Sequence, residues 1–197
     1  MFDKEENVTI SSQEKMRMKQ TTGKIPIPDV QIPDIVPIAM QSFTQYFKGF
    51  DIVPAVKEIF GDDTARVLSD LKVEFFSSKF GYMGVSDEDG HLIVSAYYLK
   101  NGDPASKYLD VVHELVHVKQ YRDGKALFDE TFEYHDRPTE LEAYAHAVKE
   151  ARRLGMSDAE IFEYLKVDWM SEDEVRKLAR NIGVKPPPRR VLGERVR

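Results

Sequence analysis

The chain lacks cysteine altogether in its 197 residues. This absence excludes a disulfide framework, a catalytic thiol and a cysteine-bound metal site. Long apolar runs are missing too: none approaches the roughly 20 residues that a membrane-spanning helix needs. Residues 1–6 also lack the apolar stretch of a secretory signal. We therefore predict a soluble, cytoplasmic protein with no membrane partner.

An excess of basic charge is missing as well, because 34 acidic residues outnumber 28 lysines and arginines. The formal net charge is −6, so the overall electrostatics do not favour nucleic acid as a partner. Hydrophobic residues make up 42% of the chain, which is enough for a core, and its length suits one domain with appendages. We predict an N-terminal polar and proline-rich arm over 1–37, a single folded domain over 38–184 and a flexible basic tail over 185–197.

The arm contains a distinctive stretch at residues 23–37, where isoleucine and valine alternate with proline. Proline disfavours both helices and central strands, so this stretch should be extended. One interpretation is an arm strapped over the domain surface. The other is a segment that occupies the substrate cleft and regulates access. Residues 1–22 are polar with weak periodicity, and they are expected to be disordered or to form a helix that needs a partner.

The apolar periodicity of the domain predicts an α+β fold. A small antiparallel sheet should form from strands at 73–76, 82–85 and 91–98, with the turn at Asp89-Gly90 typical of a hairpin. Before and after these strands, helices are predicted over the following ranges: 38–50, 54–60, 63–71, 104–122, 138–154, 161–165 and 175–182. The sheet should pack on the helix at 104–122, followed by a mainly helical C-terminal part.

The helix at 104–122 contains the motif His113-Glu114-Leu115-Val116-His117. Two histidines four residues apart lie on one helix face, so both imidazoles can reach one metal ion. In zinc metallopeptidases with this H-E-x-x-H pattern, the histidines bind Zn²⁺ and the glutamate is the general base. The longer form with a third histidine is absent, because residues 120 and 123 are Gln and Asp. The alternative is a purely structural helical protein in which the two histidines are incidental.

A hydrolytic zinc site needs a third protein ligand and one open position. Glu140 and Glu142 on the next helix are the candidates, and they point in nearly opposite directions. Glu140 shares the apolar face with Tyr144, where a buried carboxylate needs a cation. Glu142 has another explanation, a capping box with Thr139 as N-cap. Glu140 is therefore preferred as the ligand, with Glu142 and then His146 as the alternatives.

Together, the motif at 113–117 and Glu140-Leu141-Glu142-Ala143, after 22 intervening residues, resemble the gluzincin metallopeptidases. The small single-domain forms called minigluzincins are the closest in size, and the resemblance covers about residues 100–155. It implies a zincin-type active-site helix, one catalytic Zn²⁺ bound by His113, His117 and Glu140, and Glu114 as general base.

The resemblance also implies that a strand of the small sheet binds extended peptide, which assigns this role to residues 91–98. The sequence departs from the family at Tyr144, where the family often has Asp. The usual partner of a ligand histidine is thereby unassigned, and Asp136 or a backbone carbonyl is the replacement that the sequence offers.

The expected function is zinc-dependent hydrolysis of peptide bonds in a peptide or protein substrate. Glu114 would take the proton of a metal-activated water and deliver it to the leaving amine. The donor to the oxyanion is open among Tyr144, Tyr134, His135 and His146.

Two further interpretations stay open. One is a catalytically latent zinc-binding regulatory or interaction protein, including a zymogen with residues 23–37 in the cleft. The other is a nucleic-acid-associated protease that binds through its basic tail. The oligomeric state is not indicated by the sequence.

Overall fold

The computed structural model describes residues 25–79 and 83–189. Residues 1–22, predicted to be disordered or to form a helix that needs a partner, lie outside these ranges, as does the end of the basic tail. The strands are β1 (Met40–Ser42), β2 (Lys72–Phe76), β3 (Met83–Val85) and β4 (Leu92–Ser95). The helices are α1 (Phe43–Tyr46), α2 (Pro54–Phe60), α3 (Thr64–Asp70), α4 (Ala96–Asn101), α5 (Pro104–Arg122), α6 (Pro138–Arg153), α7 (Asp158–Tyr164) and α8 (Glu172–Asn181). The predicted α+β class is confirmed.

The sheet is mixed, which corrects the prediction of a purely antiparallel one. Its strand order is β1-β2-β4-β3, and β2 and β4 are parallel while the other two pairs are antiparallel. The predicted hairpin forms between β3 and β4, with Gly90 at φ 77° in its turn. The hairpin places β3 along one side of β4, so β2 pairs with the other side of β4. The chain enters β2 and β4 from the same end of the sheet, and this pair is therefore parallel.

The same strand order changes the expected substrate strand. The prediction placed peptide binding on residues 91–98, but β4 is hydrogen-bonded to a neighbour on both sides. No backbone edge of β4 is therefore left for an incoming chain, and this assignment is wrong. Within the described residues, β3 is the edge strand on the side of α5, and the Tyr121 hydroxyl ties the hairpin turn to that helix by donating to the Glu88 carbonyl at 2.9 Å.

Two predicted elements, the helix at 38–50 and the strand at 91–98, each contain a strand followed by a helix in the structure. The stretch 38–50 forms β1 and then the short α1, because residues 40–42 pair with β2. Phe43, Phe47 and Phe50 of this stretch are nevertheless buried together in the core. The stretch 91–98 ends as a strand at Ser95, whose hydroxyl caps α4 by accepting the Tyr98 N–H at 3.3 Å.

The helices that carry the motif residues form as the sequence predicts. Asp103 caps α5 by accepting the Ser106 N–H at 2.9 Å, and the helix ends before Gly124, which has φ 75°. Almost every side of α5 is buried, and α6 packs along it. One hydrophobic cluster extends from Phe43 to Val184 and includes both helices. In the part of the chain that the structure describes, we find no helix with the length and apolar character to cross a membrane.

The helix α6 starts at the predicted residue, but its cap differs from the prediction. The helix begins at Pro138, and Arg137 is in the N-cap position with no side-chain cap. Proline favours the first helical position because its φ is already helical and its missing N–H would have no partner there. Thr139 therefore lies inside the helix, and its hydroxyl donates to the Leu127 carbonyl at 3.2 Å. The predicted capping box between Thr139 and Glu142 is wrong.

The described part of the arm, residues 25–37, contains no helix and packs along the domain. Its half-buried apolar side chains contact the core, and the Gln31 N–H donates to the Lys48 carbonyl at 2.9 Å. Lys107 of α5 also binds the arm. Its buried ammonium group donates to Asp34 Oδ1 and to the Leu99 carbonyl, both at 2.8 Å.

The Lys107–Asp34 ion pair makes a testable contribution to stability. Asp34→Ala would leave the buried ammonium with a carbonyl partner and no anion. Because Asp34 itself is exposed, we expect the free energy of unfolding to fall by only about 1 kcal/mol, below the roughly 3–5 kcal/mol of a fully buried broken pair. Urea unfolding measures this change. Asp29→Ala, on the same arm, is the matched control and should leave stability unchanged; equal effects of the two substitutions would contradict the assignment.

Candidate metal centre

The two motif histidines face each other on α5. Their Nε2 atoms lie 3.0 Å apart, and their ring centroids are separated by 4.7 Å in an edge-to-face arrangement. Each histidine is only 6% exposed. The helical spacing of four residues thus brings both imidazoles to one point below the protein surface, as the sequence predicts.

Glu140 of α6 completes this group. Its Oε2 atom lies 3.4 Å from His113 Nε2 and 3.5 Å from His117 Nε2. These separations are longer than the roughly 2.7–3.2 Å of an ordinary N–H···O bond. They are close to the roughly 3.3 Å expected between corners of a tetrahedron with bonds of about 2.0–2.1 Å to zinc.

The burial of this group favours an ion at its centre. Glu140 is 5% exposed, and among the described residues its Oε2 atom is buried without a hydrogen-bond partner. A buried carboxylate oxygen without a partner is costly, and a cation would supply the missing contact. The three ligand atoms of His113, His117 and Glu140 all lie within 4.8 Å of one another. These residues could therefore hold a metal ion.

The charges around these residues also favour a cation between them. Burial lowers the pKa of His117, but the adjacent Glu140 and Glu114 carboxylates outweigh it and raise that pKa to about 9. Burial raises the pKa of Glu140, but the two imidazoles outweigh it and hold that pKa well below its usual range. Positive charge is thus stabilised between the imidazoles and Glu140, which is the electrostatic requirement of a cation site.

The other predicted ligand candidates lie outside the group. The Glu142 carboxylate is exposed, and it accepts from Gln120 Nε2 at 2.8 Å and from Lys125 Nζ at 2.7 Å. His146 is half-buried and is not among the clustered ligand atoms. The preference for Glu140, which rested on its place on the apolar face of α6, agrees with this geometry.

Glu114 lies beside the two motif histidines and is only 8% exposed. Burial raises the pKa of its carboxyl group, while the neighbouring imidazoles oppose that shift. A carboxyl group with a raised pKa is a stronger proton acceptor once it is ionised. Glu114 is not one of the clustered ligand atoms, so its carboxylate is available for proton transfer.

Two tyrosines border the centre. The Tyr144 ring contacts the His113 ring at a centroid distance of 4.3 Å, and the Tyr144 and Tyr134 hydroxyls lie 3.0 Å apart. Burial raises the pKa of both hydroxyls above the ordinary value, so both groups are neutral at physiological pH. The imidazole of His135 instead lies beside Asp136, at 3.4 Å. Of the candidate oxyanion donors, the structure therefore brings Tyr134 and Tyr144 to the centre.

Gln120 is the residue that the sequence interpretation missed. Its Oε1 atom lies 2.7 Å from His117 Nδ1, and its Nε2 donates to the Thr139 carbonyl at 2.9 Å. Of the two predicted replacements, Asp136 or a backbone carbonyl, Asp136 is wrong, because its carboxylate accepts from Lys177 and Asn181 instead. The available signal was the spacing of three residues after His117, which places Gln120 on the same helix face.

Neither a protein-family model, nor a curated protein sequence, nor a solved structure matches this chain. The chemical role of the centre must therefore be inferred from its residues and their geometry.

Proposed function

We propose that the protein is a zinc-dependent metallopeptidase in which His113, His117 and Glu140 hold the ion and Glu114 is the general base. The observation that carries this proposal is the convergence of three buried donor atoms beside a fourth buried side chain that can exchange protons. In this proposal α5 is a zincin-type active-site helix, and α6 supplies the third ligand as the gluzincin resemblance implies.

The donor set favours zinc over other common ions. Two imidazole nitrogens and one carboxylate are the ligands of a recognised class of catalytic zinc sites, which keep the fourth position open. Magnesium and calcium prefer oxygen ligands. Among the described residues, no fourth His, Cys, Asp or Glu joins the clustered ligand atoms, which leaves room for solvent. When bound, zinc supplies Lewis-acid chemistry: it lowers the pKa of a water to about 7 and polarises a carbonyl group.

Protein side chains supply the proton transfer and the stabilisation of the oxyanion. The Glu114 carboxylate accepts a proton from the attacking water and returns it to the nitrogen of the leaving amine. Its burial beside the ligands suits this role, because a desolvated carboxylate binds a proton more strongly. The hydroxyls of Tyr134 and Tyr144 remain protonated and can donate to the oxyanion that develops on the scissile carbonyl.

The sheet offers an edge on which a substrate can be oriented. We propose that an extended peptide pairs with the outer side of β3, because β4 already has two neighbours. The β3–β4 hairpin packs against α5, so a peptide added there would run beside the helix that carries Glu114. A peptide or protein is therefore the proposed substrate class.

Metal analysis combined with a cleavage assay tests this proposal. Protein purified without a histidine tag should bind one zinc ion per chain. It should also cleave casein or members of a peptide library, with activity abolished by a chelator and restored by zinc. The assay includes the full chain and a version that lacks residues 1–24, which retains the arm contacts of residues 25–37. Failure to bind zinc would refute the metal centre; zinc binding without cleavage in either version would favour the latent binding protein.

A further inference from the structure

The side chain of Gln120 is the most deeply buried polar group next to the metal centre, with 1% of its surface exposed. A buried amide must find hydrogen-bond partners for both of its ends, because an unpaired buried polar group is costly. Three contacts satisfy it: His117 Nδ1 on one end, and the Thr139 carbonyl and Glu142 carboxylate on the other.

These partners determine which end of the amide is which. The Thr139 carbonyl and the Glu142 carboxylate can only accept hydrogen bonds, so the end that faces them must be the NH₂ group. The other end is then the carbonyl oxygen, and it lies 2.7 Å from His117 Nδ1. An oxygen acceptor at that distance requires a proton on Nδ1. Neutral His117 therefore has its lone pair on Nε2, the atom that faces His113 and Glu140.

We propose that Gln120 is a positioning residue that holds His117 in the Nδ1–H tautomer and connects the two helices of the metal centre. This inference rests on the proposed metal site and extends it. The amide oxygen accepts a hydrogen bond from a proposed ligand on α5, and the amide NH₂ donates to the carbonyl of Thr139, the residue before Glu140 on α6. The orientation of His117 is thus coupled to the position of the third ligand.

His113 provides an internal contrast. Its Nδ1 atom is buried and, within the described residues, has no hydrogen-bond partner. The ring is held by its contact with the Tyr144 ring instead. Gln120 is therefore the polar group that orients a proposed ligand imidazole in the described part of the centre. Its loss should strongly lower the affinity for the metal. Removal of a hydrogen-bond partner of a metal ligand typically lowers metal affinity roughly 10–100-fold.

The test compares Gln120→Met with Glu142→Gln in the full chain. Methionine keeps the unbranched shape, but its thioether is only a weak acceptor for the His117 Nδ1–H and cannot donate to the Thr139 carbonyl. We expect a roughly 10–100-fold loss of zinc affinity, measured by competition with a chromogenic chelator. Glu142→Gln keeps an acceptor for the Gln120 amide and leaves the contact with His117 intact, so its affinity should be unchanged. Equal zinc affinity of Gln120→Met and the unmodified protein would overturn the proposal.

The tautomer itself is measured in the unmodified, metal-free protein, so this part needs neither a variant nor a bound ion. Long-range ¹H–¹⁵N NMR, at a pH where the His117 imidazole is neutral, should show His117 protonated at Nδ1. A proton on Nε2 of His117 would overturn the proposal even if zinc binds. Absence of zinc binding together with an Nδ1 proton would refute the proposed function and leave the orientation by Gln120 established.

Discussion

Replacement of Glu114 by Gln should abolish peptide hydrolysis while zinc remains bound. Glutamine has nearly the same shape as glutamate, so the packing of this buried position is preserved. Its amide cannot accept a proton at physiological pH, and general acid–base catalysis of this kind contributes roughly 10²–10⁴-fold to a rate. We expect kcat to fall by about that factor in a fluorogenic peptide assay, with the zinc content still one ion per chain.

Asp110→Asn is the matched control for this experiment. Asp110 lies one helical turn before Glu114, accepts a hydrogen bond from the Tyr98 hydroxyl and contributes negative charge near Glu114. Asparagine keeps an acceptor for Tyr98 and removes the charge. A small change in kcat for this variant would show that the loss in Glu114→Gln reflects the missing proton acceptor. Full activity of Glu114→Gln would rule out Glu114 as the general base, and loss of zinc from it would mean that Glu114 is a ligand.

Replacement of Glu140 by Gln should have the largest effect on metal binding. The carboxylate supplies the anionic ligand of the proposed centre, and its Oε2 atom lies 3.4 and 3.5 Å from the two imidazole nitrogens. A neutral amide oxygen is a much weaker ligand for zinc. We therefore expect zinc affinity to fall by more than the roughly 10–100-fold that follows loss of an outer hydrogen-bond partner. Chelator competition measures the affinity, and activity at limiting zinc should fall in parallel.

Glu142→Gln separates the two candidate glutamates. Its carboxylate lies on the exposed side of α6, where Gln120 and Lys125 bind it. The substitution changes the same chemical group two residues away, so both variants carry the same change in charge. Unchanged affinity in Glu142→Gln with a large loss in Glu140→Gln would identify the third ligand. The reverse pattern would show that the helix face was assigned wrongly.

The sequence predicted best those features that depend on neighbours along the chain. The start of α5 follows from Asp103 and Pro104, and α7 and α8 begin at the capping boxes of Ser157 and Ser171. The two histidines meet because four residues make about one helical turn. The preference for Glu140 also used helix periodicity, since only its face of α6 is apolar. These are local rules, and they point to the two helices whose residues His113, His117 and Glu140 cluster in the structure.

The features that the sequence did not predict depend on contacts between distant segments. Residues 40–42 form a strand because β2 is available to pair with them, although their apolar spacing also suits a helix. The strand order that encloses β4 follows from how the hairpin docks on β2. The spacing of Gln120 from His117 places both on one helix face, but the direction of its amide is fixed by the Thr139 carbonyl of α6. Tertiary placement decides each of these cases.

Because the proposed ligands lie on two helices, a bound ion would affect the stability of the whole domain. His117 and Glu140 are separated by 22 residues of chain, so a bound ion would join segments that are far apart in the sequence. A ligand that binds only the native state stabilises it, by an amount that rises with the logarithm of the free ligand concentration. In this protein, the supply of metal would then set resistance to heat and to degradation along with catalytic capacity.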